Sequence, residues 1–76
     1  MKITVYSTNT WPWCFKVKDY FRDNNIAFED KNVGEDRAAA MEMIRKSGQQ
    51  GVPVIDLDGN IIVGFDKEGI DKLLGL

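Results

Sequence analysis

Asp58-Gly59 divides two short apolar runs, Val52-Pro53-Val54-Ile55-Asp56-Leu57 before it and Asn60-Ile61-Ile62-Val63 after it. An Asp-Gly pair is a strong hairpin signal, because a two-residue turn needs positive φ that glycine adopts freely and aspartate tolerates. Strands over 52–57 and 60–63 are therefore antiparallel. The first half of the chain imposes the opposite arrangement. Lys2-Ile3-Thr4-Val5-Tyr6-Ser7 is rich in β-branched and aromatic residues and reads as a strand. Thr8-Asn9-Thr10 is turn chemistry, and Pro12 suits the first turn of a helix, where its missing N–H costs nothing. That helix runs through Asn24, with Cys14, Val17, Tyr20 and Phe21 on one apolar stripe. Asn24-Asn25 ends it, and residues 26–33 form the next strand. A strand–helix–strand unit pairs its strands in parallel with a right-handed crossover. One sheet that holds both halves has to be mixed.

Gly34 breaks the chain before a helix over roughly Asp36 to Ser47, with Gly48 as its stop. Ala40, Met43 and Ile44 make its apolar face, while Arg37, Glu42, Arg45 and Lys46 are solvated. Met41 lies two positions from Met43 and cannot share its face, so only Met43 enters the core. A last helix from about Asp66 points Ile70, Leu73 and Leu74 inward. The order β-α-β-α-β-β-α describes an α/β fold: a four-stranded mixed sheet with helices on both faces. Residues 1–76 leave no room for a second core and make one domain, with no internal repeat. A chain of this size buries only about 60% of its unfolded surface.

Composition narrows the chemistry. With 29% charged residues of both signs interspersed and a net charge of −2, no concentrated basic surface is offered to nucleic acid or acidic lipid. The alternating N-terminus is not a signal peptide, and no segment approaches the run of about 18 apolar residues that a membrane helix needs. The expectation is a soluble cytoplasmic protein. A single cysteine excludes an internal disulfide framework, and the absence of histidine removes Cys–His pairs, Ser–His–Asp triads and most zinc sites. No metal site is expected. Chemistry rests on Cys14, on carboxylates, or on a residue this sequence does not show.

Thr10-Trp11-Pro12-Trp13-Cys14 joins the first strand to the first helix, where α/β folds place their sites. A sulfur in the first turn of that helix meets the positive end of the dipole and free N–H groups, both of which stabilise a thiolate. Position 11 is the exposed one and Cys14 the buried one. Val52-Pro53 opens a strand after Gly48-Gln49-Gln50-Gly51, and a cis-proline there leaves Val52's backbone groups free to pair with an extended peptide.

Trp11-Pro12-Trp13-Cys14 resembles the Cys-Pro-aromatic-Cys site of glutaredoxins. Gly51-Val52-Pro53 is similar to that family's Thr-Val-Pro cis-proline motif, and Gly64-Phe65-Asp66 to its Gly-Gly-x-Asp glutathione loop. The three motifs stand in the family's order, and the resemblance covers essentially the whole chain. It implies a thioredoxin-like fold and a thiol–disulfide oxidoreductase that reduces disulfides or glutathione mixed disulfides, with glutathione as reductant and no bound cofactor. By motif position, Trp11 takes the nucleophile's place and Cys14 the resolving cysteine's. Val52 offers its backbone, Asp66 meets the γ-glutamyl ammonium, and Pro12, Trp13, Pro53, Gly64 and Phe65 complete the substrate groove. Two departures bear on the reductant. Ser7, Thr8 and Asn9 are uncharged where many glutaredoxins carry a lysine, and the Gly64-Phe65 pattern also resembles redoxins reduced by thioredoxin reductase.

Tryptophan cannot attack a disulfide. Three readings of Trp11 follow. It stands for a selenocysteine, whose UGA codon is one base from UGG, or for a changed cysteine. Alternatively catalysis is lost, and Trp11-Pro12-Trp13 is an aromatic platform of a binding module. In the third reading Cys14 works alone, which burial opposes. Plainer roles stand beside these: Cys14 as a core thiol, Pro53 as a trans strand-starter, Asp66 as a helix N-cap, Phe65 as packing. A cluster shared between two chains normally uses position 11, so an electron-carrier metal protein does not fit.

Overall fold

The computed structural model describes residues 2–76. Its elements are β1 (Ile3–Ser7), α1 (Pro12–Asp23), β2 (Glu29–Asn32), α2 (Arg37–Ser47), β3 (Val54–Leu57), β4 (Asn60–Val63) and α3 (Lys67–Leu74). β1 is buried along its whole length because it is an inner strand covered on both faces. Side chains alternate across it. Ile3 and Val5 join Val17 and Phe21 of α1, Ile55 and Leu57 of β3, and Ile70 of α3 in one half of the core. Tyr6 faces the other way, toward Met43 of α2 and Val54. Two helices thus cover one face of the sheet and one helix the other. Fully burying a side chain such as Phe21 contributes roughly 1.5–3 kcal/mol.

The strand order is β2-β1-β3-β4. β1 runs parallel to β2 (Val5 opposite Asp30) and antiparallel to β3 (Val5 opposite Ile55), and β3 is antiparallel to β4 (Ile55 opposite Ile62). The hairpin turn has φ of 56° at Asp58 and 99° at Gly59. Positive φ at both central residues is the turn whose twist matches its strands.

Several boundaries differ from the sequence reading. β2 starts at Glu29 rather than residue 26, because the Ile26 N–H turns back to the Phe21 carbonyl at 2.8 Å. Ile26 and Phe28 then pack against the core instead of extending the ladder. β3 starts at Val54, since Pro53 has no N–H to give to a ladder. In α2 it is Ala39, not Ala40, that is fully buried. Leu73 is exposed rather than inward, because α3 turns Ile70 and Leu74 onto the core. Nor are Glu42 and Lys46 simply solvated. The buried Tyr6 hydroxyl donates to Glu42, Lys46 reaches that hydroxyl at 2.8 Å and Asp56 at 2.7 Å, and Lys31 reaches Glu42 at 3.2 Å.

Candidate functional site

The loop between β1 and α1 ends at Trp11, the N-cap residue of α1, whose extended backbone (φ −105°, ψ 119°) turns into the helix at Pro12. The Trp11 carbonyl accepts the Cys14 N–H at 3.1 Å, closing the first turn. Helical geometry then separates the two residues of interest. Trp11 is 51% exposed at the rim, whereas Cys14, one turn on, is fully buried with a free thiol. Trp13 is 49% exposed, and the Lys16 ammonium lies 4.4 Å from its ring centroid.

Facing this turn is the cis peptide Val52-Pro53. No hydrogen bond within the described residues uses the Val52 N–H or carbonyl. The Pro53 carbonyl accepts the Gly64 N–H at 2.8 Å, which ties the end of β4 to the proline. Gly64 holds φ of +79°, a conformation glycine adopts without penalty, and this turns the chain so that Phe65 follows at the rim.

Trp11, Trp13, Val52, Pro53, Gly64 and Phe65 together line an open groove of about 300 Å³. None of these residues carries a charge. Among the residues singled out from the sequence, the structure gathers these six and leaves out three. Pro12 starts the helix, Cys14 is packed beneath the turn, and Asp66 caps α3 by accepting the Gly69 N–H at 3.1 Å.

Phe65 has a backing that the sequence reading missed. Its ring lies 5.6 Å from that of Tyr20, at 55°. The Tyr20 hydroxyl donates to Asp71, whose other oxygen is 2.7 Å from the Lys67 ammonium. The Asp71 carboxylate, with some help from burial, holds the Tyr20 hydroxyl above the ordinary tyrosine pKa. Tyr20 and Phe65 are far apart in sequence, so Tyr20's place on the apolar stripe and the packing role weighed for Phe65 each pointed to packing without pairing the two. A further cluster joins α1 to the sheet. Lys18, nearly buried, pairs with Asp30 at 2.9 Å, and Asp30 also accepts the Ser7 hydroxyl at 2.9 Å.

An exposed residue at the first turn of α1, set against a cis-proline and a glycine-started loop, is the arrangement the motifs implied. The glutaredoxin family model matches residues 3–62. The chain belongs to the glutaredoxin family. It is 56% identical over 72 residues to an uncharacterised glutaredoxin-like 8.6 kDa protein in a rubredoxin operon of Clostridium pasteurianum, covering 95% of this chain and 96% of that one. It is 32% identical over 71 residues to the glutaredoxin-like protein NrdH of Lactococcus lactis, covering 93% and 97% of the two chains. Among solved structures it superposes on a mutant of the thioredoxin-like protein BC3987 with a TM-score of 0.92 at 32% identity, over 97% of this chain and 95% of that one. The thioredoxin-like fold is therefore this glutaredoxin's fold. Members of the family are thiol–disulfide oxidoreductases that need no prosthetic group. Among the described residues no helix of this glutaredoxin is long and apolar enough to cross a membrane, and no group of three or more His, Cys, Asp or Glu side chains is placed to hold a metal.

Proposed function

We propose that this chain is built as a thiol–disulfide oxidoreductase of the cytoplasm, with Trp11 standing where the attacking residue belongs. The observation that carries this reading is the groove: position 11 is its exposed rim at the start of α1, opposite the cis Pro53 and the Gly64-Phe65 loop. A cysteine or selenocysteine at position 11 supplies the missing step. Its thiolate or selenolate attacks one sulfur of a substrate disulfide, forming a mixed bond and releasing the other sulfur as a thiolate. The Cys14 thiolate then attacks residue 11, closing a bond between the two and releasing the second substrate sulfur. Two electrons have passed from the pair to the substrate, and an external thiol donor restores the pair.

Indole has no ionisable group near neutral pH, so the chain with Trp11 performs neither step. Two donors fit the restoring reaction: glutathione, which the family motifs imply, and thioredoxin reductase, which the Gly64-Phe65 pattern and the likeness to NrdH support. The deciding experiment follows reduction of a small mixed disulfide by the Trp11 chain and by Trp11→Cys, with each donor in turn. Turnover by Trp11→Cys, with the Trp11 form silent, is expected, and the donor that sustains it is the physiological class. Silence of Trp11→Cys with both donors overturns the reading. The codon for position 11 in the source gene separates the origins of the tryptophan, since a UGA there means selenocysteine, a UGU or UGC a changed cysteine, and a UGG a true Trp.

A second reading rests on the same rim. Trp11 and Trp13 are both about half exposed, and exposed aromatics beside a groove are binding anchors. As a non-catalytic module the chain would capture extended segments through that groove. Binding by the Trp11 form together with a silent Trp11→Cys is its signature.

A further inference from the structure

We propose that the groove reads an uncharged, apolar side chain beside the reacting cysteine of an extended protein segment. In this account Phe65, braced by Tyr20, is the residue that reads it. The proposal rests on the oxidoreductase reading of the groove and adds its substrate class.

The six lining residues present indole, aliphatic, pyrrolidine and phenyl surface and backbone, with no charged group. Charged side chains border the groove without lining it. Asp66 is turned to the Gly69 N–H at 3.1 Å, Lys16 lies over the Trp13 ring at 4.4 Å, and Lys67 is held by Asp71 at 2.7 Å. Glutathione brings two carboxylates and an ammonium. Against the six lining residues those groups lose water and meet no ionic partner, which is unfavourable. The net charge of −2 adds no attraction for an anionic tripeptide. A protein segment brings a neutral backbone, for which the unpaired Val52 N–H and carbonyl are the natural partners, and an apolar side chain gains by entering the groove.

The wall that meets this side chain is fixed from behind. Gly64 is anchored to Pro53 at 2.8 Å, so Phe65 enters the rim from a set point. Its ring meets, at a tilt of 55°, that of Tyr20, whose hydroxyl is tied to Asp71 and whose ring lies under the Lys67 ammonium at 5.2 Å. Tyr20 belongs to α1, the helix that carries Trp13 and has Trp11 as its N-cap. It is therefore the positioning residue that spaces the two walls.

The test uses Trp11→Cys and peptide mixed disulfides that differ only in the residue beside the cysteine: Leu, Asp or Lys. A glutathione mixed disulfide is the fourth substrate. The Leu peptide is expected to exceed the Asp peptide about tenfold in kcat/KM, mainly through KM. Phe65→Lys is expected to reverse the Leu-over-Asp preference. Tyr20→Leu is expected to raise KM for the Leu peptide with kcat kept, and Tyr20→Phe, which keeps the ring contact, to restore it. Equal rates for Leu and Asp peptides, or glutathione mixed disulfide turned over as fast as the Leu peptide, overturn the substrate class. An unchanged KM in Tyr20→Leu overturns the positioning role. Thermal unfolding checks each variant, with Phe65→Leu replacing Phe65→Lys if the latter does not fold. If Trp11→Cys reduces nothing, the oxidoreductase reading alone has failed. The side-chain preference is then read by Trp fluorescence, titrating the Trp11 chain with the same peptides carrying S-methylated cysteine, and equal affinity for all of them overturns it.

Discussion

Asp66 accepts the Gly69 N–H at 3.1 Å and so begins α3. A Cβ on residue 69 would lie 2.7 Å from the Asp66 Oδ2 atom, so the glycine makes room for the capping carboxylate. Asp66→Ala is expected to cost about 1 kcal/mol of stability, while Asp66→Asn, still a good capping acceptor, loses only a few tenths. Urea midpoints at constant slope measure both, and equal losses would mean that charge rather than capping is what matters. Gly64 is a different case: its backbone, at φ +79°, resists any Cβ although the space around it is open. Gly64→Ala is expected to cost roughly 1–2 kcal/mol from the backbone alone. At this scale much was legible beforehand. The exposure of Trp11 against the burial of Cys14 follows from where each stands in one helical turn. The support of Phe65 by Tyr20 was not legible, because a ring contact between distant residues leaves no spacing in the sequence.

Helices α1 and α2 each turn charge toward the sheet, for different reasons. On α1, Lys18 lies on the covered face with its ammonium on Asp30 at 2.9 Å, its side chain only 7% exposed. Removing the carboxylate leaves a nearly buried ammonium unpaired, whereas replacing the lysine with an apolar residue of similar length leaves nothing charged behind. Asp30→Asn is therefore expected to cost about 2 kcal/mol, below the fully buried range because Asp30 is partly solvated, and Lys18→Met less than about 1 kcal/mol. Chemical denaturation of the two variants gives the ranking, and the reverse order would show that the pair is not what holds α1 to β2. On α2, a helical wheel places Glu42 and Lys46 on the polar side. Periodicity reports which face is wet. It does not report that Tyr6 sends a hydroxyl up from β1, or that Asp56 of β3 lies within 2.7 Å of Lys46.

These contacts join β1, β2, α2 and β3 into one network, and its pH response belongs to the whole molecule. The Tyr6 hydroxyl, then Lys31, hold the Glu42 carboxyl at about 2, below its ordinary 4.5. Burial works against charge on Asp56, but Lys46 and the Gly59 N–H outweigh it and keep that carboxyl low as well. A depressed folded value means stability fully present above about pH 4.5 and lost as pH falls toward 2. Because Glu42 remains partly solvated, the contribution is discounted to about 1–2 kcal/mol. Glu42→Gln is expected to lower the neutral-pH melting temperature and to converge with the unsubstituted chain as pH falls from 4.5 toward 2. A gap that stays constant across that window would assign the effect to packing. The sequence by itself determined the order of elements, the antiparallel hairpin, the parallel first crossover and the loop that holds the site. Those depend on turn chemistry, period and chain direction, which are local. Only the tertiary structure decided that β1 lies between β2 and β3, that Trp11 and Trp13 meet Val52, Pro53, Gly64 and Phe65 in a groove with no charged lining residue, and that Tyr20 stands behind Phe65. Each of these is a meeting of residues distant along the chain, fixed by which surfaces the fold brings face to face.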